Sequence, residues 1–176
     1  MRTRKVSVLL LERRLQELED RLAIYQLMMA YGPAVDSGSS AAAGSLWAES
    51  GIYDSGVGIF EGPEGIRAMV ATDPHDGYTK AGCAHIVSAP HIELDHDRAV
   101  AICYSQLLLR DEATDGFKIW RVTANRWEWE RSKDGWRVTK RVNHLLDGNP
   151  PARALFQEGV RGMGGLLSDQ EVPGQR

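Results

Sequence analysis

The chain has 176 residues, 43% of them hydrophobic and 26% charged, enough to enclose a single core. Its net charge is −3 and its basic residues form no block beyond the opening MRTRK, so the basic face that nucleic-acid binders depend on is missing. No segment approaches the ~18 apolar residues of a membrane span, and two cysteines are too few for a disulfide scaffold and too far apart for a zinc site.

The apolar run Val6–Leu11 is cut short by Glu12, Arg13 and Arg14, and no small-residue cleavage site follows. This argues against an export signal and for a soluble, cytoplasmic protein. From Leu11 to Val35 the apolar residues recur at helical spacing. Leu11, Leu15, Leu18, Leu22, Tyr25 and Met29 form one stripe, with Ile24, Leu27, Met28 and Tyr31 beside it. In AIYQLMMAY only Gln26 is clearly polar, so the helix is expected to begin half-exposed, with residues 1–14 as an N-terminal extension, and to end almost enclosed. It closes on YGPAVD, Tyr31 to Asp36. At about 100° per residue Asp36 falls near Leu18, Tyr25 and Met29, on the apolar stripe. Pro33 lacks a backbone donor and is expected to kink or end the helix there. Asp36 is therefore either a turn residue of DSGSS or an acid aimed into a cavity, where desolvation raises its pKa and a basic neighbour compensates.

Ser39 or Ser40 is placed to cap a second helix over Ala41–Trp47 that closes at Gly51, and Pro63 suits the first position of a third in GPEGIRAMV. After Lys80 the period becomes two. CAHIVSAPHIELD, RAVAICYSQLLLR, FKIWRVTANRWEWER and WRVTKRVNHLL read as four strands, with Cys83 and Cys103 as small buried residues within them. Their links, His96-Asp97, Asp115-Gly116 and Lys133-Asp134-Gly135, are short turns that favour antiparallel neighbours. Helices followed by strands predict an α+β fold with helices packed on one face of a curved antiparallel sheet. Residues 15–148 form the expected domain. The Gly-rich stretch from Gly159 makes 149–176 a C-terminal arm that is partly disordered or ordered by a partner.

His85 shares a strand face with Cys83 and Val87. Alone it is a core histidine; beside a buried Asp it is a general base, because the carboxylate fixes the tautomer and stabilises the imidazolium. Asn125 lies on one face with Arg121 and Trp127, placed either to hydrogen-bond a substrate or to pair within the core. Tyr53 and Asp54 in GIYDSG either reach a pocket mouth or are structural. Trp120, Trp127, Trp129 and Trp136 crowd two strands as core, interface or pocket residues. His75, His91, His96 and His144 have no metal-site spacing, and no Gly-rich loop joins a strand to a helix, so neither metal nor nucleotide cofactor is expected.

The segments AIYQLMMAYGPAVD, LWAESGIYD, FEGPEGIRAMV, AHIVSAPHIELD and RWEWERSKDGWRVTKR resemble the SnoaL-like family of the nuclear transport factor 2-like superfamily, over roughly Leu15 to Leu146. The resemblance implies a cone-shaped α+β barrel whose bent sheet wraps the first helix and encloses a pocket. It is greatest to the cofactor-independent eliminating members, the dehydratases of scytalone and bile acids and the hexachlorocyclohexane dehydrochlorinase. Their Asp at the end of the first helix and His on the first long strand match Asp36 and His85. A participating Tyr matches Tyr31, and an Arg on the last strand matches Arg141. The second active-site His of the scytalone enzyme has no counterpart, Tyr104 or Cys103 standing in about that region.

Alternation groups Arg141 with Arg137, Thr139 and Asn143, opposite Trp136, Val138 and Val142, which by itself makes the Arg141 face the wet one. In a cone fold that face lines a polar pocket, and the apolar parity then marks an interface with another subunit. The expected function is thus a lyase of the dehydratase type acting on a mid-sized apolar cyclic molecule, polyketide, steroid or terpenoid-like, in a homo-oligomer, dimer or trimer. His85, Asp36, Tyr31 and Arg141 are the catalytic candidates, and Tyr53, Asn125, Trp120 and Tyr104 the substrate-binding ones. An isomerase, a polyketide cyclase or epoxide hydrolase, and a non-catalytic binding or scaffold protein are the alternatives.

Overall fold

The computed structural model describes residues 2–161, with side chains from Val8 to Val160. Helix α1, Arg2–Asp36, is built from good helix formers and is interrupted by no Gly or Pro before residue 32. Its core face is Ile24, Met28, Tyr31 and Val35. The leucine stripe lies elsewhere: Leu11, Leu15, Leu18 and Leu22 are exposed. Periodicity grouped those four correctly, and the core lies on the opposite side of the helix.

Pro33 does not end the helix. Its ring faces solvent, and the chain completes another turn to Asp36. The stop is Gly38, whose φ of 68° allows Gly38 N–H to donate to Val35 O (3.1 Å) and Ser39 N–H to Ala34 O (2.9 Å), the paired bonds of a Schellman C-cap.

Helix α2 is only Ser40–Gly44, because Trp47–Asp54 leaves the expected helix to become strand β1. β2 (Ile59–Glu61), α3 (Gly62–Ala71) and α4 (His75–Ala81) follow. The expected strand CAHIVSAPHIELD is two, β3 (Cys83–Val87) and β4 (His91–Asp95), parted at Ser88–Pro90, where Pro90 supplies no ladder donor. Both pair with β5 (Arg98–Asp111), His85 opposite Leu107 and Ile92 opposite Ala101. β6 (Gly116–Ser132) and β7 (Gly135–Leu145) complete a curved, unclosed sheet of order β2-β1-β7-β6-β5-β3, with β4 also on β5. It is mixed rather than wholly antiparallel, since β1 runs parallel to β7. The α+β class and the bent sheet against α1 are as expected.

Two bulges decide which side chains face inward. β6 and β7 slip register between Glu128/Lys140 and Trp129/Val138, leaving Thr139 unpaired on β7. Across it the inward set changes parity, from Trp136 and Val138 to Arg141 and Asn143, and all four are buried. Simple alternation therefore failed at Arg141, which shares the concave face with the tryptophans. Trp127, Trp129, Trp136 and Val138 meet the buried cluster beneath α1, while Val142, of the same sequence parity as Trp136 and Val138, packs on the other face with Ile102 and Ala124.

Helix α5 (Pro150–Arg161) covers part of the convex face, burying Ala152 and Leu155 against Ile102 and Ala124. The arm expected from residue 149 thus begins as a packed helix, and residues 162–176 lie outside the described residues.

Candidate active site

The helix end and the first long strand meet because of Gly32. A Cβ there would stand 2.3 Å from the His85 carbonyl oxygen, so only glycine lets β3 approach α1 this closely. One turn on, Asp36 reaches β3. Its Oδ1 lies 2.6 Å from His85 Nδ1, its Oδ2 accepts the His85 backbone N–H at 2.7 Å, and the Cys83 thiol donates to Oδ1 at 3.4 Å. Burial pushes the Asp36 carboxyl upward, but the His85 ring and backbone bonds, the His85 charge and the Cys83 thiol outweigh it and hold the group below 3.8. An ionised Asp36 accepting Nδ1–H leaves Nε2 of a neutral His85 with its lone pair free.

The cavity that His85 lines has a volume of about 80 Å³ and is walled by Tyr31, Tyr53, Val87, Leu107, Arg121 and Arg141, among others. Arg141 is 2% exposed, and its guanidinium packs over the rings of Trp127 (4.0 Å), Tyr31 (4.4 Å) and Tyr53 (4.6 Å). Nε and Nη2 donate to Asn125 Oδ1 at 3.2 and 2.9 Å, while Nη1 has no partner among the described residues. No carboxylate pairs with it among them, so it is a desolvated cation with a donor to spare.

Asn125 is fully buried and does not line the cavity; it acts on Arg141. Its Nδ2 donates to Ser105 Oγ and Thr123 Oγ1, both at 2.9 Å, which fixes the amide so that Oδ1 points at the guanidinium. Tyr31 is held neutral: burial raises its pKa most and nearby Tyr53 adds to that, against the opposing Arg141 charge. Tyr53 Oη accepts from Asn143 Nδ2 at 2.9 Å.

Trp120 and Tyr104 do not join this group. Trp120 is the unpaired residue of the second bulge, between Leu107/Leu108, and lines a neighbouring cleft of about 370 Å³ with Val57 and Leu145. That cleft shares Arg121 and Asn143 with the cavity. Tyr104 sits on the convex face against Phe156 of α5, with ring centroids 4.7 Å apart.

Two contributors escaped the sequence reading. His75 stacks on His85 at 5.2 Å, and its own pKa is lowered, chiefly by burial and then by the His85 charge. Its place in an irregular loop-helix segment left no periodic signal. Arg121 donates from Nη2 to Ser55 O at 2.9 Å, and its buried Nε has no partner among the described residues.

Asp36, Cys83 and His85 also offer ligand atoms within 4.8 Å of one another. Burial, then the Asp36 charge, pushes the Cys83 thiol up to about 11, so with no ion beside it the group is a protonated thiol that donates to Asp36.

Comparison with known proteins adds a family to this geometry. The SnoaL-like domain matches residues 16–142, most of the chain and every residue of the cavity but Asn143. The protein belongs to the SnoaL-like domain family. An NTF2-like protein with a cystatin-like fold from Novosphingobium aromaticivorans is 38% identical, over 84% of this chain and 95% of that one, with a TM-score of 0.80. Hexachlorocyclohexane dehydrochlorinase LinA-type3 from Novosphingobium barchaimii shares the fold at 20% identity, over 76% and 90% of the two chains, with a TM-score of 0.65. A protein of unknown function from Mycobacterium tuberculosis shares it at 15% identity, over 89% and 94%, also at 0.65. No curated protein matches the chain. Within the SnoaL-like domain, the described helices include none long and apolar enough to cross a membrane.

Proposed function

We propose that this SnoaL-like protein is a cofactor-independent lyase of the dehydratase type. The observation that carries the reading is the 2.6 Å Asp36–His85 contact in the wall of a cavity that is also lined by Arg141, a buried cation whose Nη1 has no partner among the described residues. His85 Nε2 takes a proton from a carbon next to a carbonyl. Arg141 Nη1 receives the negative charge that develops on the carbonyl oxygen. The β carbon–oxygen bond then breaks, a carbon–carbon double bond forms, and the proton returns from the imidazolium to the departing hydroxide, which leaves as water. Tyr31, held neutral, hydrogen-bonds the leaving oxygen or the enolate.

A volume of about 80 Å³ is well below the roughly 300–1,000 Å³ of pockets that bury a drug-sized ligand. The reacting end of a cyclic substrate therefore enters the cavity, and its apolar remainder lies in the cleft of Val57, Trp120 and Leu145. An isomerase with Asp36 as the base is the weaker reading, because three donors hold that carboxylate and lower its basicity.

The test is a panel of β-hydroxylated cyclic ketones, with loss of water followed by mass spectrometry. Turnover by the parent protein is expected, with His85→Gln and Asp36→Asn each slower by about 100-fold or more. Isomerised product of unchanged mass, formed equally by the parent and His85→Gln, would favour the isomerase. Ligand affinity with no turnover in the parent would make the domain a binding module.

A further inference from the structure

Val8, Leu11, Leu15, Leu18 and Leu22 are spaced three, four, three and four residues apart, and each is between 48% and 65% exposed. That spacing is the a/d repeat of a coiled coil, with Val8, Leu15 and Leu22 at a and Leu11 and Leu18 at d. At about 100° per residue the seam points some 150° away from Ile24, Met28, Tyr31 and Val35, so the body of the protein leaves it clear. Leu9 and Leu10 are exposed too but lie off this line.

The flanks carry opposite charges. Glu12 and Glu19 occupy the e positions and Arg14 and Arg21 the g positions, and none of the four makes an ion pair among the described residues. We propose that residues 8–22 of α1 pair with the same segment of a second copy of this chain as a parallel two-stranded coiled coil. In a parallel pair each g residue faces the e residue five positions on in the partner, which sets Arg14 against Glu19 in both directions. An antiparallel pair would set e against e and g against g, Glu on Glu and Arg on Arg. The charge pattern therefore selects both the occupant and its direction.

Two heptads are marginal as an isolated peptide. Here the helix is ordered in advance. Its C-terminal half is in the core, and Asp20, on the side away from the seam, is bonded by Arg131 Nη2 (2.5 Å) and Trp136 Nε1 (3.2 Å). Association then orders little besides the seam side chains.

The test is sedimentation equilibrium of the full chain over a range of concentrations, with circular dichroism as the fold control. The parent is expected to self-associate, and Leu15→Glu/Leu18→Glu to raise the dissociation constant by about 100-fold or more while keeping the helical signal. Glu19→Arg should weaken association several-fold, and Arg14→Glu/Glu19→Arg should restore it. A monomeric parent, an assembly untouched by the double glutamate variant, or tighter association in Glu19→Arg would each overturn the proposal, the last by indicating an antiparallel pair.

Discussion

Asp36 receives three hydrogen bonds, from the His85 ring, the His85 backbone and Cys83, and all three favour its charged form over the desolvation that opposes it. The sign of the pH effect follows. A carboxyl whose folded value lies below its unfolded 3.8 contributes stability that is complete well above that value and is lost as pH falls through the lowered folded value. Asp20 and Asp147 are lowered as well and share the acid limb, so the useful quantity is a difference between proteins. Asp36→Asn is expected to have a lower Tm than the parent at neutral pH and a shallower fall between about pH 5 and pH 2. Thermal melts across that range check it; curves that run parallel would mean that Asp36 has no net preference for its charge in the folded state.

Helix α1 and strand β3 approach as closely as backbones can, and Gly32 is where they do so. Gly32→Ala puts a methyl carbon against the His85 carbonyl with no flexible group to yield, so β3 must move away from α1. The expected cost is about 1–3 kcal/mol of stability, with a larger loss of activity than of Tm, because a 2.6 Å dyad tolerates little displacement. Denaturant unfolding and the dehydration assay on one preparation separate the two. The same pair of elements shows what was legible in advance. Parity along β3 grouped His85 with Cys83 and Val87 and crosses no irregularity, whereas the angle along α1 set Asp36 in line with Leu18, which is exposed, so Asp36 was singled out by the family resemblance rather than by that count. Arg141 was misplaced by parity alone because the bulge at Thr139 belongs to a pairing of two strands, and no feature of GWRVTKR announces it. Trp47–Asp54 escaped for a related reason: besides the three-residue β2 its ladder partner is β7, distant in sequence, while Gly51 interrupts its alternation.

Across the whole molecule α1 has two ends with different tasks, a leucine seam outside the body and Asp36 inside it. Leucine periodicity left open what covers the stripe, because spacing reveals which residues share a face, not whether this chain or another copy covers it. Leu18 and Asp36 are about 27 Å apart along the helix axis. Changes at the seam should therefore add to, rather than couple with, changes at the site. Leu15→Glu/Leu18→Glu is accordingly expected to keep kcat/KM per protomer within about twofold of the parent. The same variant should lose the concentration dependence of Tm that self-association gives the parent, because a partner that binds only the folded state stabilises it by mass action. Melts at several protomer concentrations, with initial rates on the same samples, test both halves. A variant that melts independently of concentration yet has lost turnover would mean that the second copy supports the active site across its length, and Asp20, tied to Arg131 and Trp136, would be the first place to look for the connection.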